Sequence, residues 1–589
     1  MSYMLFRRFA LAKRLGVLTA LLVACSPVQQ TAPPTPVQPP SSFASFADEY
    51  FAALFTFRPS QGTEQGFHEY DAQIEDLSAS AVQLRVDTLN RLQARLDTLQ
   101  AGPLSSDDRI DAVMIDGAIR SELLDLETLQ TWRHNPMWYI APAGNAIDGL
   151  MKRNFAPPAT RLQSVIARLR SVPALLAAMR ANVDNPPKEF TDLAIRMANG
   201  STGFFRGTVT SWAAQAAGTD TALLGAFAAA KDSAVAAMES AAAWLKNDLL
   251  PRSKGSYAIG AKAFADKLLY DEMVDIPLDR LLAIGEANLR KDHEACLTFA
   301  RQIDPERTPA EVIASLANDH PTAANLIPFV ENSLEAARQF LIEKRIVTIP
   351  SDARPTVEET PPYLRSHGFA MMDTPGVFEA KAMEAFYYVT PPETDWDAMR
   401  IEEHLRLFNR PVVDMTNVHE AFPGHFLQFL YAKQFPTKTR KILSAATNVE
   451  GWAHYSEQMM VEEGFRGGDP KVQLAQLSEA LVRDCRYVIG IKLHTQNMSI
   501  EDGAKCFREQ AFQEAAAAYA ESRRGAYNPT YLYYTLGKLQ IYKLRTEYER
   551  LLGAAYSLQG FHDAFVKQGA LPLKLLRQIL LPGDTSSTL

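Results

Sequence analysis

The stretch NVHEAFPGHFLQFL, residues 417–430, decides how this chain is read. His419 stands beside Glu420, a Pro423-Gly424 step follows, and then comes His425. A zinc-hydrolase helix carries its two histidines four residues apart, with a glutamate next to the first, so that both imidazoles share a face. Here the second histidine is six residues on. At about 100° per residue it points about 120° away from the first. Pro423 also removes an N–H and clashes with the preceding turn. Two readings stay open: a bulge absorbs the extra residues and restores the shared face, or the helix ends at Phe422 and the two histidines are unrelated.

The next segment bears on the choice. TNVEGWAHYSEQMM, residues 447–460, reads as an amphipathic helix on which Glu450, His454 and Glu457 share one face. A carboxylate on a second helix, some 30 residues after a His-Glu pair, is where a site of two histidines and one glutamate takes its third ligand. Gly451, Trp452, Ala453 and Tyr455 around Glu450 look like close packing rather than a solvated face. KDHEACLTFA, residues 291–300, is a control. It also holds a His-Glu pair, His293-Glu294, but no second histidine follows within two turns, and it reads as a surface pair.

HEAFPGHFLQ with EGWAHYSE downstream resembles the bacterial family catalogued as domain of unknown function 885, over about residues 45–580 and most sharply at 417–460 and 527–545. The resemblance groups the chain with gluzincin-type zinc metallopeptidases, and in that family the Pro-Gly insertion is the norm. It implies a mainly α, helical, gluzincin-like body with a cleft and a small β element. It also implies His419, His425 and Glu450 as ligands of one Zn²⁺ per chain, and Glu420 as the catalytic base. Asn417, His454 and Glu457 are candidates for orienting those ligands. Such a reaction needs a donor for the developing oxyanion. The run 524–545 offers Tyr527, Tyr531, Tyr533 and Tyr534. Tyr534 heads a Tyr-x-x-Gly-Lys step like that of the family and is the expected donor. On the run 481–499, Arg486 or His494 is expected to bind a substrate carboxylate or the oxyanion. Many relatives carry Asp-Thr-Gly before the equivalent histidine, where this chain has Gly490-Ile491-Lys492.

The remaining chain supplies the setting. MSYMLFRRFALAKRLGVLTALLVAC, residues 1–25, has a basic start and an apolar run too short to span a bilayer comfortably. It reads as a signal peptide ending in a lipobox, with Cys25 lipidated. Residues 26–43 hold six prolines and no charge, a tether reaching roughly 50 Å. Removing residues 1–24 takes away four positive charges and no negative ones, moving the chain from −8 to −12. An acidic body without a basic face argues against a nucleic-acid partner. The expected place is the envelope of a Gram-negative bacterium, on the outer membrane and facing the periplasm.

From residue 44 on, helical periodicity dominates: Leu84, Leu89, Leu92 and Leu96 form one stripe, and residues 211–250 are Ala-rich. A division is expected near 265, into an N-terminal helical part, 44–265, and a C-terminal part, 266–589, with the chemistry. The best strand signal lies in EAFYYVTPP, residues 384–392. Phe386–Thr390 is either an edge strand that pairs with a peptide substrate or a buried hairpin strand. Apart from Cys25 three cysteines remain, so at most one bridge forms, with Cys485 and Cys506 the nearer pair. The function expected is hydrolysis of short peptides by metal-activated water. The alternatives are a non-catalytic lipid-anchored binding scaffold and a metal-dependent amidase or esterase acting on small molecules.

Overall fold

A computed structural model describes residues 42–589, apart from 362–364, 366–368, 394 and 585. The signal segment, Cys25 and nearly all of the tether lie outside the described residues.

Helices are set by serine caps and apolar stripes. Ser42–Phe57, Ala79–Gln100 and Ser106–Leu123 meet around Phe46, Phe51, Leu89, Leu92, Leu96 and Ile115. The Ser78 and Ser105 hydroxyls accept from backbone N–H groups in the first turns of the second and third of these helices, meeting donors that no helical carbonyl reaches. Leu84 departs from the expected stripe: it is 66% exposed. A second cluster joins Met137–Lys152, Pro158–Asn182, Lys188–Phe204 and Thr221–Trp244. The Ala-rich run falls here, with Ala230, Ala234 and Ala241 buried against its neighbours.

The largest cluster lies in the C-terminal half. It is built on Leu278–Ile303, Leu326–Lys344, the motif helix Arg410–Glu420, the Glu450 helix Ala446–Glu462, the Arg483 helix Pro470–Thr495 and the Tyr534 helix Tyr533–Leu552. Residues 42–589 pack as one unit, and position 265 falls within the helix Ala261–Glu272.

The chain is mainly α with one small sheet of strands β1 (Thr356–Glu359), β2 (Ala370–Asp373) and β3 (Phe386–Val389). Its order is β1-β3-β2, with β1 parallel and β2 antiparallel to β3. The strand expected at Phe386–Thr390 is therefore the middle one. Both its edges are taken and Tyr387 and Val389 are buried, so it has no free edge for a peptide. β2 is the strand beside the cleft described below: Met372 and the loop 374–377 line it.

Candidate metal centre

The motif helix starts at Asn409, whose side chain accepts from the Val412 N–H, and stops at Glu420. Both the Ala421 and Phe422 N–H groups bond to the Asn417 carbonyl, and the Gly424 N–H bonds to that of Val418. The Phe422-Pro423 peptide is cis. A new helix then runs over His425–Ala432. The chain is thus broken rather than bulged, yet the histidines are not unrelated. The break turns the second helix so that the His419 and His425 rings stand 4.8 Å apart and nearly perpendicular, at 88°. Gly424 is required there, because a Cβ at this position would collide with the His419 carbonyl oxygen.

Glu450 arrives from a helix that grips the same break. Trp452 Nε1 donates to the Pro423 carbonyl at 2.7 Å. On its other side the Glu450 helix lies against the Tyr534 helix, where Gly451 meets Gly537 with no room for a Cβ on either. Glu450 Oε2 lies 3.6 Å from His419 Nε2 and 3.5 Å from His425 Nε2. Donors held 2.0–2.2 Å from a tetrahedral zinc are roughly 3.4 Å from one another. All three donor atoms lie within 4.8 Å of one another. Two imidazoles and one carboxylate so placed fit a divalent ion of the zinc type, with a position left open.

Behind the triad a second layer fixes the tautomer of His419. Its Nδ1 is 2.6 Å from Glu457 Oε1; a carboxylate only accepts, so Nδ1 carries a proton, and it is Nε2 that offers the lone pair once the ring gives up its second proton to bind a metal. Burial disfavours the His419 imidazolium, yet Glu450 and Glu457 raise its pKa to about 9. Burial opposes the Glu457 charge as well, but Arg483 at 3.2 Å and the two histidines hold its carboxyl well below the usual range. His454 Nδ1 donates to Glu457 Oε2 at 3.3 Å, and burial, aided by Lys538, keeps this ring neutral, at about 3.

Glu420, His425 and Glu450 line a cavity of about 500 Å³. Phe429, Phe435, Leu443 and Val566 supply apolar wall, and β2 with its following loop supplies more of the lining. Tyr387 packs near Glu420; burial first, and then that carboxylate, push its phenol well above the usual range. Tyr534 is 7% exposed. Burial, with the Glu450 charge second, pushes its phenol up to about 12, so at neutral pH it is an O–H donor.

The other expected residues divide. His454 and Glu457 join the site. Asn417 does not: its side-chain amide donates to the Val330 carbonyl and ties the motif helix to Leu326–Lys344. Arg486 makes a two-pronged bond to Glu521, at 2.7 and 2.9 Å, and reaches the site only as a cation beneath the Tyr534 ring. It is not free to bind a substrate carboxylate. His494 is buried, bonded to the Gly525 carbonyl and packed against Tyr257 and Phe264. It lies 11 residues beyond Arg483 on one helix, about 16 Å along the axis, and takes no part. Tyr527 is exposed. Tyr531 is fully buried, and Tyr533 is held by Asn528. His293 is half-buried rather than a surface residue, bonded to the Gln510 carbonyl and stacked on Phe512.

Sequence reasoning passed over two residues. Arg483 precedes Arg486 by three positions and so shares its face, but which carboxylate each meets is decided by tertiary packing. Lys538, the lysine of the Tyr-x-x-Gly-Lys step, is buried and paired with Asp292 at 3.2 Å. Asn288 and Thr535 complete that network around Asp484.

A family model described as "Bacterial protein of unknown function (DUF885)" matches residues 59–580. No curated protein matches. Among solved structures, one titled as a "putative lipoprotein of unknown function" from Shewanella oneidensis is 26% identical. It superposes with a TM-score of 0.79, covering 92% of this chain and all of its own. A "putative lipoprotein" from Colwellia psychrerythraea, 18% identical, has a TM-score of 0.78 over 91% of this chain and 98% of its own, and so shares the fold.

Proposed function

Because the chain belongs to the bacterial family of unknown function DUF885, whose name assigns no chemistry, we propose from its own residues that it is a zinc-dependent hydrolase, a metallopeptidase of short peptides. One observation carries the reading: His419 Nε2, His425 Nε2 and Glu450 Oε2 converge, and His425 and Glu450 line a cleft together with Glu420.

His419, His425 and Glu450 would hold the ion. When bound, zinc supplies a Lewis acid that acidifies water and polarises a carbonyl. Glu420 stands next to a ligand in the chain and faces the same cleft. It takes the proton of the attacking water and hands it to the leaving amine. The Tyr534 O–H donates to the developing oxyanion. Glu457, clamped by Arg483 and His454, holds the His419 ring in place. The apolar wall takes a side chain of the substrate.

For location, the lipoprotein titles of the two solved relatives, both from Gram-negative bacteria, support the cell envelope. With the lipobox at Cys25, we place the protein on the outer membrane, facing the periplasm.

The test is hydrolysis of a short-peptide library by the zinc-loaded protein and by Glu420→Gln. Cleavage by the first and not the second supports a peptidase. Cleavage of small esters or amides alone moves the reading to an esterase or amidase. Binding without turnover makes the chain a scaffold.

A further inference from the structure

We propose that Cys485 and Cys506 form a disulfide in the exported protein, a covalent cross-link between the Arg483 helix and the helix Ile500–Gln510. The two sulfurs lie 2.9 Å apart, and closing them to the roughly 2.05 Å of a disulfide needs a shift of only about 1 Å. Each cysteine sits on a regular helix, and these two helices pack side by side. The approach is therefore set by packing and not by a loop. A thiol is a weak donor and a weak acceptor, so a thiol pair offers little reason for such proximity. The third thiol, Cys296, is fully buried on another helix.

Exposure assigns the order of steps. Cys506 is half-buried, whereas Cys485 is fully buried. The Cys506 thiolate attacks one sulfur of a small disulfide oxidant such as glutathione disulfide and expels one glutathione thiolate. The Cys485 thiolate then attacks the Cys506 sulfur and expels the second. Two protein thiols are oxidised, one glutathione disulfide is reduced to two glutathiones, and the two thiol protons end on them.

The cross-link falls where the site needs rigidity. Cys485 lies between Arg483, which holds Glu457, and Arg486, which packs under Tyr534. Only the presence of an oxidant in the cell rests on the envelope reading; the chemistry of the pair does not.

The test takes the reduced full chain, treats it with glutathione disulfide, denatures it, alkylates free thiols and maps the peptides by mass spectrometry. The expected result is a Cys485–Cys506 linked peptide, lighter by two hydrogens than the reduced pair, with Cys296 alkylated. Alkylated Cys485 and Cys506, a lasting glutathione adduct on Cys506, or a link through Cys296 overturns the proposal. If protein isolated from cells is reduced but closes under glutathione disulfide, the envelope reading fails and the pair stands.

Discussion

His419 Nδ1 and Glu457 Oε1 meet at 2.6 Å between two helices. This contact decides which nitrogen of His419 faces Glu450. Replacing the acceptor should therefore act on metal affinity through the ring's orientation. For Glu457→Gln we expect zinc affinity to fall about 10- to 100-fold, read by competition with a chromogenic chelator. Unchanged affinity in a folded variant would remove Glu457 from the account.

Glu420 is placed on the cleft wall and outside the ligand set. Glu420→Gln should keep its zinc and lose turnover by about 100- to 10,000-fold. Peptide hydrolysis measured beside metal content separates the two effects, and loss of the metal in this variant would make Glu420 a ligand.

Tyr534 is expected to act on the transition state more than on binding. Tyr534→Phe removes one O–H and little volume, so kcat should drop about 100- to 1,000-fold with KM nearly unchanged. A change confined to KM would make Tyr534 a substrate-packing residue.

Glu272 gives a pH-dependent test. Its carboxylate accepts from the Ala446 and Thr447 N–H groups and the Thr447 hydroxyl, capping the helix that carries Glu450. Burial pushes it from 4.5 up to about 7 despite those donors. The folded protein therefore holds a proton that the unfolded chain releases above about 4.5. The contribution of Glu272 to stability should fall as pH rises through 4.5 to 7, by up to roughly 3 kcal/mol. Urea unfolding across that window, wild type against Glu272→Gln, should show a steeper fall in the wild type, because Asp484, also pushed up to about 7 by burial, titrates in both. Parallel curves would contradict it.

Much of this site could be read before any coordinates. The His-Glu pair, the second histidine and the acid on the next helix are local patterns, and the fold brings the two histidines and Glu450 together. What local rules misjudged was the Pro-Gly step. Helix geometry correctly said that one helix cannot aim both rings at one ion. The chain meets that limit with a second helix, and the pieces that fix its angle, Trp452 and the Gly424 contact with His419, are tertiary. The place of β3 in its sheet was not legible for a related reason. β3 was visible as an aromatic, β-branched run. β1, Thr-Val-Glu-Glu, is largely exposed and carries too little of that signal to be seen pairing beside it. His494 looked functional because it matches a histidine of the family, but distance along its helix carries it away from Arg483.

The central claim is that the break at Pro423-Gly424 brings two imidazoles and Glu450 onto one ion. Metal content by elemental mass spectrometry, on purified wild type and His425→Ala, tests it most directly. We expect about one zinc per chain in the wild type and loss of it in the variant. Wild-type protein that takes up no metal when offered zinc at neutral pH, or a His425→Ala protein that keeps it, would contradict the account.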